Sequence, residues 1–202
     1  MSQIEIKASE RSAGKVDIFF GDILYKTIDG SLLAKMDLRR HLNITKEAFE
    51  ELYFEKERQA ARTLALALLA RRSFFICELK ERLMEKGIGA NSCDAAIVFC
   101  ESIGALSDHT KLCALIDKES RKGKSERAIR FSLRKYDLDQ DLIEECFQKL
   151  CVSPRSGIEK LLQGKLKKYC LKDIKQKQKL ILNLQRKGFC LEDIFSVLKN
   201  LQ

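Results

Sequence analysis

The chain has 202 residues, 45% of them hydrophobic, which is enough to build a sizeable core and too apolar for disorder by composition. Its 38 Lys and Arg against 29 Asp and Glu leave a formal charge of +9, favouring an anionic partner without naming it. No run approaches the roughly 20 apolar residues that a membrane-spanning helix needs, and the polar opening around Ile4, Glu5, Lys7 and Glu10 is unlike a secretory signal, so a cytoplasmic protein without membrane contact is expected.

Residues 1–44 form a strand-containing region. Val16 to Phe20 and Ile23 to Ile28 are short β-branched or aromatic runs separated by Gly21 and Asp22, which predicts a hairpin or a small three-stranded element. Asp29 and Gly30 supply a turn. Leu32, Leu33, Met36 and Leu38 either continue as a third strand or start a helix.

From Thr45 onward the reading is helical. Thr45 suits an N-cap, with Glu47 in the first turn opposing the helix dipole. A single helix over 46–72 is long for a globular protein, so a break is expected near Glu55 to Arg58, leaving a linking helix at 45–58. Beyond it, three segments repeat. Leu83, Leu133 and Leu184 occupy one position; Ile88, Leu138 and Phe189 follow five residues later, then Cys93, Ile143 and Ile194. Each block reads as helix, tight turn, helix. Lys86-Gly87-Ile88 and Lys187-Gly188-Phe189 place glycine where a positive backbone dihedral closes a helix, and Asp137 is expected to substitute for it in the middle block. Upstream helices at about 59–71, 108–121 and 155–171 complete the units. A two-helix hairpin cannot bury both its apolar faces, so stacking is expected. The fold class is therefore mainly α, with tandem three-helix repeats at 59–104, 105–152 and 153–202.

Little here supports catalysis. Gly157 and Gly164-Lys165 lack the spacing, hydroxyl residue and strand-to-helix context of a phosphate-binding loop, and neither G-x-S-x-G nor H-E-x-x-H occurs. The eight cysteines form no CxxC pair and His41 and His109 lie far apart, so neither a metal site nor another cofactor is expected. The cysteines read as small buried hydrophobes, and His109 as a helix-start residue needing no role. Acidic residues in the second helices, Asp94, Glu144-Glu145 and Glu192-Asp193, would meet phosphate repulsion in a major groove, which argues against a sequence-specific repressor.

Positive charge is concentrated. Between Arg155 and Lys187 eleven cations face only Glu159 and Asp173, and a second run comprises Arg121, Lys122, Lys124, Arg127, Arg130, Arg134 and Lys135. Few aromatics are interleaved, so a base-stacking platform is not supported; contact with a phosphate backbone or an acidic protein groove is easier to build.

At Ala67-Leu68-Leu69-Ala70-Arg71-Arg72, Glu78-Leu79, Leu83 and Glu85-Lys86-Gly87-Ile88 the sequence resembles the opening repeat of the RecX family of regulatory proteins. Arg121-Lys122-Gly123-Lys124, Arg127, Ile129 and Leu133 resemble its second repeat, and Gln178, Leu180, Leu184 and Arg186-Lys187-Gly188-Phe189 its third. The likeness runs from about residue 12 to 200. It implies an elongated, curved stack of three-helix repeats that binds the RecA recombinase filament on single-stranded DNA, restrains filament growth, strand exchange and coprotease activity, and consumes no nucleotide. A monomer with some direct contact to DNA is expected; the other reading is a nucleic-acid-binding architectural protein with little dependence on RecA. By position, the resemblance makes Arg71, Arg72, Lys86, Arg121, Lys122, Lys124, Arg127, Arg130 and Arg134 the contacts of the first two units, and Lys177, Lys179, Arg186 and Lys187 those of the third. Leu79, Leu83, Ile129, Leu133, Leu180 and Leu184 should be core. Two departures stand out. Phe75 replaces the family's capping serine, which predicts loss of the capping box, and the acidic-aromatic signature of the second unit is reduced at Gly104-Ala105-Leu106-Ser107-Asp108.

Overall fold

In the computed structural model, residues 4–38, 44–164, 166, 169 and 173–200 are described. Arg39, Arg40, His41, Lys165, Lys167, Lys168, Cys170 and Lys172, which contribute to the charge and cysteine readings above, lie outside them. The chain divides into two compact units, residues 1–107 and 108–202.

The first unit opens with three antiparallel strands, β1 (Ile4–Ala8), β2 (Lys15–Phe20) and β3 (Ile23–Asp29), in that order across the sheet. The third strand therefore comes from before the predicted hairpin. Ile4, Ile6 and Ala8 lie opposite Phe20, Ile18 and Val16, so the alternating apolar residues of the opening segment share a face with those of β2. Leu32, Leu33 and Met36 take the helical alternative, in α1 (Gly30–Met36), which is capped by Asp29 accepting from the Ser31 amide at 2.9 Å.

Helix α2 runs unbroken from Lys46 to Leu69. The expected break at 55–58 is absent because that turn is held from outside the helix. Glu57 is buried and its carboxylate accepts from Lys26 Nζ of β3 at 2.6 Å, Tyr53 Oη at 3.0 Å, the Gly89 amide at 3.1 Å and Ser92 Oγ at 2.6 Å. One side chain thus ties sheet, long helix and the following turn together. Burial opposes its ionisation, but hydrogen bonds from Lys26 and Ser92 outweigh this and hold the carboxyl below its ordinary range. Phe20 packs edge-on against Phe49 at 5.6 Å and Tyr25 against Tyr53 at 5.7 Å, fixing the sheet on α2.

Helices α3 (Ile76–Glu85) and α4 (Ala90–Ser102) complete this unit and pack on α2 and on each other. Half of the capping box survives at α3: the Glu78 carboxylate accepts from the Phe75 amide at 2.9 Å, while Phe75 itself is fully buried. Burial of the ring stands where a serine hydroxyl would have bonded. The turn after α3 closes with Gly87 N donating to Met84 O and Ile88 N to Leu83 O, the paired bonds of a Schellman ending. Gly87 has φ +86, and a Cβ there would lie 2.9 Å from Ile28 Cα, so the residue serves both the turn and the close approach of β3.

The second unit contains α5 (Asp108–Arg121), α6 (Glu126–Leu133), α7 (Gln140–Leu150), α8 (Pro154–Gln163), α9 (Ile174–Arg186) and α10 (Leu191–Lys199). Helix α8 stops short of the predicted 171, at the Gly164 cap. Gly188 repeats the Gly87 turn with φ +89 and bonds from Gly188 N to Gln185 O and Phe189 N to Leu184 O. Asp137 does not: among the described residues only Asp37 and Cys151 are non-glycines with positive φ. The middle turn closes instead by Tyr136 N to Leu133 O and Leu138 N to Tyr136 O, a path that asks nothing of a left-handed residue. Leu79, Leu83, Ile129, Leu133, Leu180 and Leu184 are all buried. So are Cys93, Cys100 and Cys146, but Cys151 and Cys190 are exposed, contrary to the reading of the cysteines as core: Cys151 caps α7 in the left-handed conformation and Cys190 caps α10. Among the described residues no helix is long and apolar enough to cross a membrane.

Asp29 makes the first unit acid-sensitive. Its carboxylate accepts from Ser31 Oγ and from Lys86 Nζ, the latter at 2.9 Å, and these bonds, Ser31 first, lower its pKa to about 2. A carboxyl held below its unfolded value binds fewer protons when folded, so its contribution is complete above the unfolded pKa and disappears as pH falls through the folded one. Glu57 acts in the same direction. Thermal melts of the first unit should therefore fall steeply between about pH 5 and pH 2, with on the order of 2 kcal/mol attributable to Asp29. Asp29→Asn should be less stable at neutral pH and flatter over that interval; equal slopes for variant and wild type would refute the assignment.

Candidate partner-binding surface

Helix α6 is short and strongly two-sided. Ser125 caps it, accepting from the Ala128 amide at 3.2 Å, and Ile129 and Leu133 turn one stripe into the core. The opposite stripe, at the i, i+3, i+4, i+7 spacing of a single helix face, carries Arg127, Arg130, Phe131 and Arg134. Facing it is the end of α9 with its glycine turn. Ser125 Oγ donates to Lys187 O at 2.7 Å, and a Cβ on Gly188 would lie 2.5 Å from that hydroxyl. This contact brings Arg186 and Lys187 to the same open groove as Arg127, Arg130 and Arg134, a space of about 1000 Å³.

The groove cations differ in what they are free to do. Arg130 is committed internally: its guanidinium donates to both Glu144 oxygens at 2.7 and 3.0 Å, pairs with Glu126 at 2.7 Å and lies 4.3 Å from the Phe147 ring centre. Those bonds, from Glu144 first, raise its already high pKa. It braces α6 against α7. Arg127 and Arg186 are exposed and have no side-chain partner among the described residues, while Arg134 lies 5.4 Å from the ring of Phe131, which is 69% exposed. Of the two acids on the groove, Glu126 is matched by Arg130 and Asp193 accepts from the Cys190 thiol at 2.8 Å. The free field is positive, with an exposed aromatic ring in its middle. The sequence signals Phe131 only through its place four residues after Arg127 and out of phase with Ile129 and Leu133.

The remaining candidates scatter. Arg71 is exposed and unpaired among the described residues, but Arg72 stacks 3.7 Å from the Phe74 ring centre and lies 3.7 Å from Glu78. Lys86 is engaged by Asp29. Arg121 is bound by Asp117 at 2.8 Å, and Glu119, largely buried, takes both Lys122, at 2.6 Å, and Lys124. Lys177 and Lys179 project from α9 without ion pairs among the described residues and do not line the groove. The fold also gathers His109, Cys113 and Cys146, which are dispersed in sequence, into a compact donor group on α5 and α7.

No model of a known protein family matches the chain. Curated relatives do. It is 32% identical over 143 residues to the regulatory protein RecX of Pelodictyon phaeoclathratiforme, covering 69% of this chain and 87% of that protein. It is 28% identical over 144 residues to the regulatory protein RecX of Vibrio vulnificus, covering 70% and 92%. The regulatory protein RecX of Clostridium perfringens is 22% identical over 200 residues, covering 97% of this chain and 94% of its own. A crystal structure of a regulatory protein RecX superposes with a TM-score of 0.63 over 98% of both chains at 15% identity. With that fold and those relatives, the chain belongs to the RecX family of regulatory proteins.

Proposed function

We propose that this protein binds the RecA recombinase filament on single-stranded DNA and restrains its recombination and coprotease activities, acting as a cytoplasmic monomer with no reaction of its own. Family membership supports the kind of role. The observation that carries the surface is the α6–α9 groove, where Arg127 and Arg186 stand unpaired among the described residues beside an exposed phenylalanine. Arginine suits bidentate capture of carboxylates and phosphates, and an aromatic between such cations supplies the apolar anchor typical of protein interfaces. The groove therefore fits an acidic protein surface, with phosphate contact alongside it.

Co-sedimentation with the same organism's RecA on single-stranded DNA tests the reading, run beside DNA alone at physiological salt. Saturable pelleting that requires RecA and ATP is the expected result. Equal pelleting with bare DNA, steeply salt-dependent, would replace it with the architectural reading.

A further inference from the structure

Helix α5 carries His109 and Cys113 one turn apart, hence on one face. Helix α7 packs along it and presents Cys146, with Glu145 as its neighbour. His109 Nε2 lies 3.8 Å from Cys113 Sγ and 3.5 Å from Glu145 Oε1, and Cys113 Sγ lies 2.7 Å from Cys146 Sγ. The imidazole nitrogen and both sulfurs fall within 4.8 Å of one another. Cys146 is buried, His109 and Cys113 are half-buried and Glu145 is exposed, so the group is anchored inside and open to solvent at one side. Among the described residues no other set of His, Cys, Asp or Glu converges in this way.

We propose that this group is a binding site for a thiophilic divalent cation of the zinc class, held by Cys113 Sγ, Cys146 Sγ and His109 Nε2, with the fourth position open to solvent beside the Glu145 carboxylate. Metal–ligand bonds of about 2.3 Å to sulfur and about 2.0 to 2.2 Å to nitrogen or oxygen, in a tetrahedron, set edges of roughly 3.6 Å between sulfur and nitrogen and roughly 3.4 Å between nitrogen and oxygen. The His109–Cys113 separation already matches. The two sulfurs must open by about 1 Å to reach the tetrahedral edge, a movement available to Cys113 on the half-open side.

The donor chemistry agrees with the geometry. Two thiolates and an imidazole are a borderline-soft set that selects zinc-class ions over magnesium or calcium. A bound dication deprotonates coordinating thiols outright. Uptake should thus release thiol protons and strengthen with rising pH. The site would fasten α5 to α7, the helix whose Glu144 holds Arg130 in place. It stands independently of the proposed partner.

Cobalt(II) is the probe: the reduced, chelator-treated full chain is titrated with it, then challenged with zinc. One ion per chain is expected, with thiolate-to-cobalt charge-transfer absorption, intense tetrahedral visible bands, and loss of both on adding zinc. Removing outer-shell partners alone costs metal sites about 10- to 100-fold in affinity, so Cys113→Ser and His109→Ala should each weaken binding by about 100-fold or more. Cys151→Ser with Cys190→Ser, which alters only exposed thiols, should leave the spectrum unchanged. His109→Ala, at a half-buried position, keeps the test valid if Cys146→Ser does not fold. A spectrum unchanged in Cys113→Ser, or no uptake by the reduced wild type, overturns the proposal. So does a Cys113–Cys146 disulfide in the purified protein that yields no metal uptake after reduction.

Discussion

Glu57→Ala is expected to destabilise the first unit by about 3–5 kcal/mol, the usual cost of removing one partner from a buried ion pair, and to lower its melting temperature by at least about 10 °C. The substitution strands Lys26 Nζ, Tyr53 Oη, Ser92 Oγ and the Gly89 amide around an empty volume, and buried donors without acceptors are the expensive half of the hydrogen-bond balance. Near-ultraviolet circular dichroism reads the loss directly, since Tyr25 and Tyr53 pack edge-on in the affected contact. Glu57→Gln should fall between the two, keeping an acceptor but losing the charge opposite Lys26. Lys26→Met combined with Glu57→Leu should recover part of the loss, because it removes both charges and refills the space. The assignment fails if Glu57→Ala melts within about a degree of wild type.

The same residue explains where sequence reading stops. Helix length argued for a break at Glu55 to Arg58, but the residues that stabilise that turn are Lys26 and Ser92, 31 and 35 positions away. Tertiary contacts of that range leave no local pattern. Strand β1 was hidden for a different reason: Ile4, Ile6 and Ala8 alternate over too few residues to stand out until β2 is placed beside them. What recurred locally was legible. The glycine turns at 87 and 188 and the buried leucines are visible in the spacing, because a Schellman ending and a 3.6-residue period each write themselves into a few consecutive positions. The middle turn broke the pattern since Asp137 could leave the left-handed route rather than tolerate it.

Charge was readable in amount and only partly in availability. Asp117 before Arg121 and Glu126 before Arg130 sit at the i, i+4 spacing that neutralises a cation on its own helix. The Glu144 and Asp29 partners of Arg130 and Lys86 come from other elements and could not be counted in advance. His109 and Cys113 share that i, i+4 spacing, a signal available in sequence; Cys146, 33 residues further on, was not.

This sorting of cations decides which substitutions test binding rather than folding. Arg127→Glu with Arg186→Glu should lower affinity for the RecA filament by about 1000-fold, taking each arginine as an interface residue worth about 2 kcal/mol. The melting temperature should hardly change, because neither side chain has an internal partner among the described residues and exposed substitutions rarely move stability by more than about 0.5 kcal/mol. Arg130→Glu is the wrong choice for the purpose: it sets three carboxylates, Glu126, Glu144 and the new one, against one another, so lost binding would be inseparable from a loosened α6. Lys177→Glu with Lys179→Glu serves as a charge-matched comparison, since it removes as much positive charge away from the groove at side chains without ion pairs among the described residues. If only net charge matters, both double variants weaken binding alike and the salt dependence shifts equally. If the groove is the interface, the Arg127 and Arg186 pair loses far more, and Phe131→Ala, which changes no charge, weakens binding as well. Wild-type affinity in the Arg127→Glu, Arg186→Glu protein would move the interface elsewhere on the molecule.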